Sequence, residues 1–105
     1  MIGEETPRQA TERLVRQFHP ERIILFGSHA RGTADLRRDV DLLVVCHVQG
    51  NRRALMVAMD RALRGLDFAR DVIVITPEEF ERDRQIPGTA ARPAYREGKI
   101  LYEAR

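Results

Sequence analysis

Hydrophobic residues recur along this chain at two spacings, one typical of helices and the other of strands. From about residue 6 to residue 18 and from Asn51 to about Gly65, apolar side chains return every three or four positions, which predicts two amphipathic helices. Three short apolar runs indicate strands, and the first is unbroken, which predicts burial on both faces. These predicted strands are Arg22 to Phe26, Val40 to Cys46 and Arg70 to Ile75.

Capping residues predict where the first two helices begin. Thr6 followed by Pro7 is typical of an N-cap and a first helical position, so the first helix is expected to begin there. Asn51 is predicted to cap the second helix. Arg52 and Arg53 come next, where cations oppose the helix dipole. We interpret them as a solvated surface, and an acidic patch on a partner is the alternative.

The last third of the chain predicts shorter elements. Thr76 and Glu79 have the spacing of a capping box, which indicates a short helix after the third strand. Further helical turns are expected from about Thr89 to Glu97, ending at Gly98. Ile100 to Tyr102 is expected to form a short edge strand or a docked tail.

Two carboxylates lie at the start of the second predicted strand. Asp39 and Asp41 are two residues apart, which places them on one face of an extended strand, about 7 Å from each other. Like charges at that distance repel by about 2 kcal/mol at an effective dielectric of 20. Leu43 and Val45 give the same face apolar surroundings. Two ordinary solvated charges are one explanation, and a divalent cation held by carboxylate oxygens is the other.

A glycine and a serine follow the first predicted strand. Gly27 would let the backbone approach a ligand closely, and Ser28 is typical of a helix N-cap. The free N–H groups and positive dipole end of a helix N-terminus suit a phosphate group, whereas a simple tight turn is the alternative. With the carboxylates, this stretch predicts a phosphate site beside a metal site. That combination is required for the transfer of a phosphorus-centred group.

The segment GSHARGTADLRRDVDLLV resembles the G-S-x-A-R-G…D-x-D motif of the minimal nucleotidyltransferases, small relatives of the DNA polymerase β-type nucleotidyltransferases. The matching residues are Gly27, Ser28, Ala30, Arg31, Gly32, Asp39 and Asp41. Looser similarity extends to the closing REGKILYE, so the resemblance covers nearly the whole chain. Arg38 departs from the family, which usually has serine before the first aspartate. The resemblance implies an α+β fold in which helices pack on a three-stranded mixed core sheet.

A third carboxylate, Asp71, lies at the start of the third predicted strand. A full helix joins the second and third strands, so a right-handed crossover would make them parallel and bring Asp71 beside Asp39 and Asp41. Gly27 and Ser28 reach that edge only if the first strand runs antiparallel to the second. This requires the mixed sheet that the resemblance also implies. An ordinary strand-opening residue is the alternative interpretation of Asp71.

The resemblance implies a role for each of these residues. Asp39, Asp41 and Asp71 would hold two Mg²⁺ ions, and Asp71 would be either the general base or a ligand of the second ion. The residues that would bind the phosphates of a nucleoside triphosphate, ATP, are Gly27, Ser28 and Arg31. For Arg31 the sequence leaves two roles open, neutralising phosphate or pairing with an aspartate to fix the loop.

The expected function follows from the same resemblance. The chain resembles the antitoxin half of HEPN/MNT toxin–antitoxin pairs, in which the enzyme moves AMP from ATP to a tyrosine hydroxyl of the HEPN-domain toxin. One alternative is a non-catalytic antitoxin that neutralises its partner by binding. Another is a small-molecule nucleotidyltransferase with an acceptor pocket across a homodimer, so the sequence leaves a homo-oligomer open.

Composition narrows the classes of partner. Residues 1–105 are expected to form a single domain. The 18 basic and 16 acidic residues are interspersed, which does not favour nucleic acid as the acceptor. No apolar stretch is long enough to span a membrane, and no signal peptide is recognised, so a cytoplasmic protein is expected. The single cysteine, Cys46, is predicted to pack in the core.

Overall fold

The computed structural model describes residues 5–27, 40–66 and 70–104, and these ranges form four helices and four strands. In chain order the elements are α1 (Glu5–Phe18), β1 (Arg22–Phe26), β2 (Val40–Val45), α2 (Arg52–Ala62), β3 (Arg70–Ile75), α3 (Pro77–Asp83), α4 (Ala91–Glu97) and β4 (Lys99–Glu103). The bounds of β1 and β3 agree with those predicted from the apolar runs. β4 is the expected C-terminal strand.

The four strands form one mixed sheet in the order β3-β2-β1-β4. β2 and β3 are parallel, as the crossover through α2 requires. β1 lies between β2 and β4 and is antiparallel to both. The predicted mixed core sheet with an edge strand from the C-terminus is therefore confirmed.

Helices cover both faces of the sheet and give the protein two apolar layers. On one face, Leu14 of α1, Met59 of α2 and Leu63, the residue that follows α2, are all fully buried against alternate residues of β1 and β2. On the other face, Phe80 of α3 and Ala94 of α4 pack against the remaining residues of the same strands. Because β1 serves both layers, its last four residues are all buried, as predicted.

The first helix begins earlier than its capping signal predicted. α1 starts at Glu5, so the assignment of Thr6 as the N-cap was wrong. Pro7 is instead the third helical residue, a position that tolerates proline because N–H groups in the first turn have no partner within the helix. The carbonyl of Pro7 accepts a hydrogen bond from the hydroxyl of buried Thr11 at 2.9 Å.

Asn51 caps α2 as predicted, since its side-chain oxygen accepts a hydrogen bond from the N–H of Ala54 at 3.0 Å. The side chain of Arg52 is 41% exposed, but it also forms an ion pair that the sequence did not predict. Its guanidinium contacts both carboxylate oxygens of Glu79, at 2.9 and 3.0 Å. Glu79 belongs to the predicted capping box with Thr76, which the structure confirms. The ion pair between Arg52 and Glu79 therefore joins the start of α2 to the start of α3.

Cys46 lies in the first apolar layer, 5% exposed, as predicted. Burial is the main reason that the pKa of its thiol is raised, with Glu21 acting in the same direction and Arg52 opposing it. The thiol is therefore protonated at neutral pH, which agrees with a packing role.

Candidate active site

The ends of three strands bring together the described residues of the predicted site. In the antiparallel pair β1–β2, Phe26 lies opposite Asp41. In the parallel pair β2–β3, Asp41 lies opposite Asp71. Gly27 follows directly after β1 and is therefore at the same edge. The crossover argument from the sequence predicted this meeting of Gly27, Asp41 and Asp71.

Gly27 has two features that other residues would not tolerate. Its φ angle is +89°, in the region that residues with a Cβ rarely adopt. A Cβ built on it would lie 2.9 Å from Oδ2 of Asp41, closer than such contacts normally occur. The carboxylate of Asp41 is thus held against the backbone at the end of β1.

Asp41 and Asp71 lie on the sheet face that carries α3 and α4. Each is two residues before an apolar side chain of that face, Leu43 and Ile73 respectively. Asp41 is partly buried, whereas Asp71 is exposed. The site therefore has an inner carboxylate close to the apolar layer and an outer one that solvent can reach.

The chemistry of this donor set fits a hard divalent cation. Neighbouring strands are about 4.8 Å apart, and unit charges at about 5 Å repel by about 3 kcal/mol at an effective dielectric of 20. A cation such as Mg²⁺ would turn this repulsion into attraction through carboxylate oxygens. In the part of the chain that the structure describes, no cluster of three or more His, Cys, Asp or Glu side chains could hold a metal ion.

Three of the predicted site residues lie outside the described ranges. They are Ser28, Arg31 and Asp39. The structure thus describes two of the three predicted carboxylates, Asp41 and Asp71. Of the predicted phosphate-binding residues it describes Gly27.

Sequence reasoning did not associate α2 with this site. A groove of about 590 Å³ runs between α2 and the first half of β3, and Asp71 is among its lining residues. Arg53 and Arg61 of α2 line the groove, one on each side of Val57 along the helix. The four-residue spacing of these three positions was the available signal, because such residues lie on one helix face.

None of the helices in the described ranges combines the length and hydropathy needed to cross a membrane.

The model of the nucleotidyltransferase domain family matches residues 7–103, nearly the whole chain, and the protein belongs to this family. The nucleotidyltransferase relationship recognised from the GSHARG and D-x-D segments is therefore confirmed at the level of this wider family. A search among curated proteins gave no match.

Solved structures with the same fold include a protein from Sulfolobus solfataricus described as a nucleotidyltransferase. It is 22% identical over 94% of this chain and 78% of that chain, with a TM-score of 0.65. A toxin–antitoxin with AMP-PNP is 19% identical over 93% of this chain and 74% of that one, with a TM-score of 0.64. A mutant of the toxin–antitoxin MntA-HpeT is 16% identical over the same shares, with a TM-score of 0.63. At these identities the likeness establishes the fold.

Proposed function

We propose that this protein is a Mg²⁺-dependent nucleotidyltransferase that moves AMP from ATP to a hydroxyl group of a partner protein. The observation that carries the proposal is the pairing of Asp41 with Asp71 beside Gly27, at one edge of the sheet. Membership of the nucleotidyltransferase family supports the reaction class. The AMP-PNP named for one structure of the same fold supports an adenine nucleotide as donor.

The carboxylates are proposed to hold two Mg²⁺ ions. Asp41 and Asp71 would supply ligand oxygens, and the sequence motif adds Asp39 as the third residue. When bound, such ions offset the charge of the triphosphate and lower the pKa of the acceptor hydroxyl. Asp41 has the better-fixed position because the backbone of Gly27 lies against it.

The nucleotide is proposed to bind where β1 ends. Gly27, which has no side chain to obstruct a ligand, would let the β- and γ-phosphates approach the backbone N–H groups. Ser28 would add its hydroxyl as a further donor. Arg31 would either neutralise phosphate or pair with an aspartate, and these roles remain alternatives.

The transfer step is a displacement at the α-phosphorus. The acceptor oxygen forms a bond to that phosphorus while the bond to the bridging oxygen of the β-phosphate breaks, and pyrophosphate leaves with the electron pair. Asp71 is proposed to take the proton of the acceptor hydroxyl, because it is the solvent-exposed carboxylate and can meet an incoming partner.

The proposed acceptor is a tyrosine of a HEPN-domain toxin, which the added AMP would inactivate in the cytoplasm. Two structures of the same fold are of toxin–antitoxins, which supports an antitoxin role. The motif that the chain shares with minimal nucleotidyltransferases supports the same reaction.

The test combines the protein with ATP labelled on the α-phosphate, Mg²⁺ and the product of the adjacent gene. Label is expected on the partner, and mass spectrometry should find one AMP on a tyrosine. Asp71→Asn should slow transfer by about 10²–10⁴-fold, the usual contribution of a general base. Neutralisation of the toxin that persists undiminished with Asp71→Asn and without ATP would contradict the proposal and identify an antitoxin that acts by binding alone.

A further inference from the structure

The groove beside Asp71 has the character of a binding surface. Its volume is about 590 Å³, and its apolar part includes Met56, Val57 and Val72. Val57 is 45% exposed, and in the described ranges it is one of four large hydrophobic residues with that much exposure. Asp71 belongs to the opposite face of the sheet from α2, but β3 is a terminal strand of the sheet, and Asp71 lines the groove at that edge. A segment bound in the groove would therefore lie beside the candidate active site.

Three of the four arginines that line the groove have no carboxylate partner in the part of the chain that the structure describes. Across residues 5–27, 40–66 and 70–104, no carboxylate forms an ion pair with Arg53, Arg61 or Arg64. By contrast, several arginines elsewhere each pair with a carboxylate within 4 Å. They include Arg8, Arg22, Arg52, Arg82 and Arg84. The groove thus has three cations whose charge no described carboxylate offsets.

Arg70 has a different role in the same groove. Its Nε lies 3.3 Å from Oδ1 of Asp60, and its side chain donates hydrogen bonds to the carbonyls of Asp60 and Leu66. It fastens the start of β3 to the end of α2 and fixes the shape of the groove. The positive charge offered to a ligand therefore comes from α2.

We propose that this groove is the docking surface for the acceptor protein. The segment that binds there would carry aspartate or glutamate side chains around an apolar residue, the acidic groups meeting Arg53 and Arg61 and the apolar one covering Val57. Docking would bring the acceptor hydroxyl to Asp71. The inference rests on the proposed function because it supplies the acceptor for that reaction.

The lining residues favour a protein over a nucleic acid. A polyphosphate backbone would meet the carboxylates of Asp60 and Asp71, and no aromatic residue is among the described residues that line the groove. An acidic segment with an apolar residue matches both the exposed valine and the three arginines that no described carboxylate pairs with.

The test measures affinity for the adjacent gene product by calorimetry, without ATP, for wild type and for Arg53→Glu with Arg61→Glu. The double substitution should weaken binding by on the order of a hundredfold, and binding to wild type should fall as NaCl rises from 50 to 200 mM. Arg53 is in the first turn of α2, where glutamate favours the helix dipole, so that substitution should not lower the melting temperature.

Arg16→Glu is the matched control. Arg16 is exposed in the last turn of α1, as Arg61 is in the last turn of α2, so both substitutions carry the same dipole cost. Arg16 does not line the groove, and its variant should bind like wild type. An equal loss of affinity in the control and the double variant would overturn the docking surface.

The outcomes separate this inference from the proposed function. If the double variant binds its partner and transfers AMP to it like wild type, the proposed docking surface is wrong, whereas the proposed transferase reaction still holds. If wild type transfers no AMP but the double variant loses binding, the docking surface holds and the proposed reaction fails. If a 20-nucleotide RNA binds wild type but not the double variant, and the partner binds both, the groove binds nucleic acid and the inference is overturned.

Discussion

At the scale of single residues, Gly27 offers the most direct test of the candidate site. Gly27→Ala would force a Cβ to within 2.9 Å of Oδ2 of Asp41 and would keep a φ of +89°. We expect a loss of unfolding free energy of about 1–2 kcal/mol from the backbone conformation. Displacement of the carboxylate should also slow AMP transfer. Urea unfolding and label transfer measure the two effects.

Gly88→Ala is the control for this substitution. Gly88 has a φ of +92°, and a Cβ there would meet nothing within 4 Å. It should lose similar stability but transfer AMP like wild type. If Gly88→Ala lowered transfer as much as Gly27→Ala, the effect would come from stability and not from the contact with Asp41.

Residues with local signals were predictable, and those whose partners lie far along the chain were not. The position of Asp41 in the sheet was predicted from the alternation of side chains along a strand. The position of Asp71 beside it required, in addition, the handedness of the crossover. The partner of Arg52 is Glu79, 27 positions later, and depends on how α2 and α3 meet. The predicted roles of Ser28, Arg31 and Asp39 lie outside the described residues and stay predictions.

At the scale of elements, the carboxylate of Glu79 makes two interactions at the start of α3. Glu79 accepts a hydrogen bond from the N–H of Thr76 at 2.8 Å within the capping box, and it also pairs with Arg52. The side-chain hydrogen bond from Arg52 is the largest cause that lowers the pKa of Glu79, followed by the backbone N–H of Thr76. The charged form of Glu79 thus stabilises both the capping box of α3 and the ion pair that joins the start of α3 to the start of α2.

This coupling predicts a pH dependence of stability. Because the pKa of Glu79 is lower in the folded than in the unfolded protein, its contribution is present above the ordinary glutamate pKa and lost as the pH falls through the folded value. Glu79→Gln should cost about 1 kcal/mol of unfolding free energy at pH 7, typical of a partly exposed pair. That cost should shrink below about pH 4.

Urea unfolding from pH 3 to 7 measures this difference. Glu78→Gln is the control, since Glu78 shares the first turn of α3 but is exposed. A cost for Glu79→Gln that stays the same across this range, or one that Glu78→Gln reproduces, would contradict the assignment to the pair with Arg52.

Element boundaries differed in how well the sequence predicted them. β1 and β3 each begin at an arginine and end before a residue that interrupts the apolar run, Gly27 and Thr76 respectively. α2 was expected to reach about Gly65, but its regular turns end at Ala62. The N–H groups of Leu63 and Arg64 bond instead to carbonyls three residues back, as in a tighter 3₁₀ turn. Such tightening leaves the apolar spacing unchanged, so periodicity did not reveal it.

At the scale of the whole molecule, the topology of the sheet could be predicted from the sequence, whereas the shape of the surface groove could not. The mixed sheet followed from one crossover and from the need to bring a glycine and three aspartates to one edge. The groove beside Asp71 depends instead on the packing of α2 against β3 and on Arg70, whose contacts with Asp60 and Leu66 shape it. Side-chain contacts of this kind are not encoded in hydrophobic periodicity. The single domain expected over residues 1–105 stays a prediction.

The site should couple metal binding to the stability of the whole fold. Asp41 and Asp71 are adjacent carboxylates, so a cation that binds only the folded protein should raise its melting temperature. At a Mg²⁺ concentration ten times the dissociation constant, binding to the folded protein alone should raise the unfolding free energy by about 1.4 kcal/mol. For a domain of this size that corresponds to an increase of about 5–10 °C. Differential scanning calorimetry with EDTA and with Mg²⁺ measures it.

Asp71→Asn should change this response in a specific way. With one of two like charges neutralised, the variant should melt at a higher temperature than wild type in EDTA, and Mg²⁺ should no longer raise the value. Glu12→Gln, which removes an exposed carboxylate of α1, should retain the wild-type response to Mg²⁺. An increase with Mg²⁺ that persists in Asp71→Asn would place the cation elsewhere, and the paired aspartates would then need another explanation.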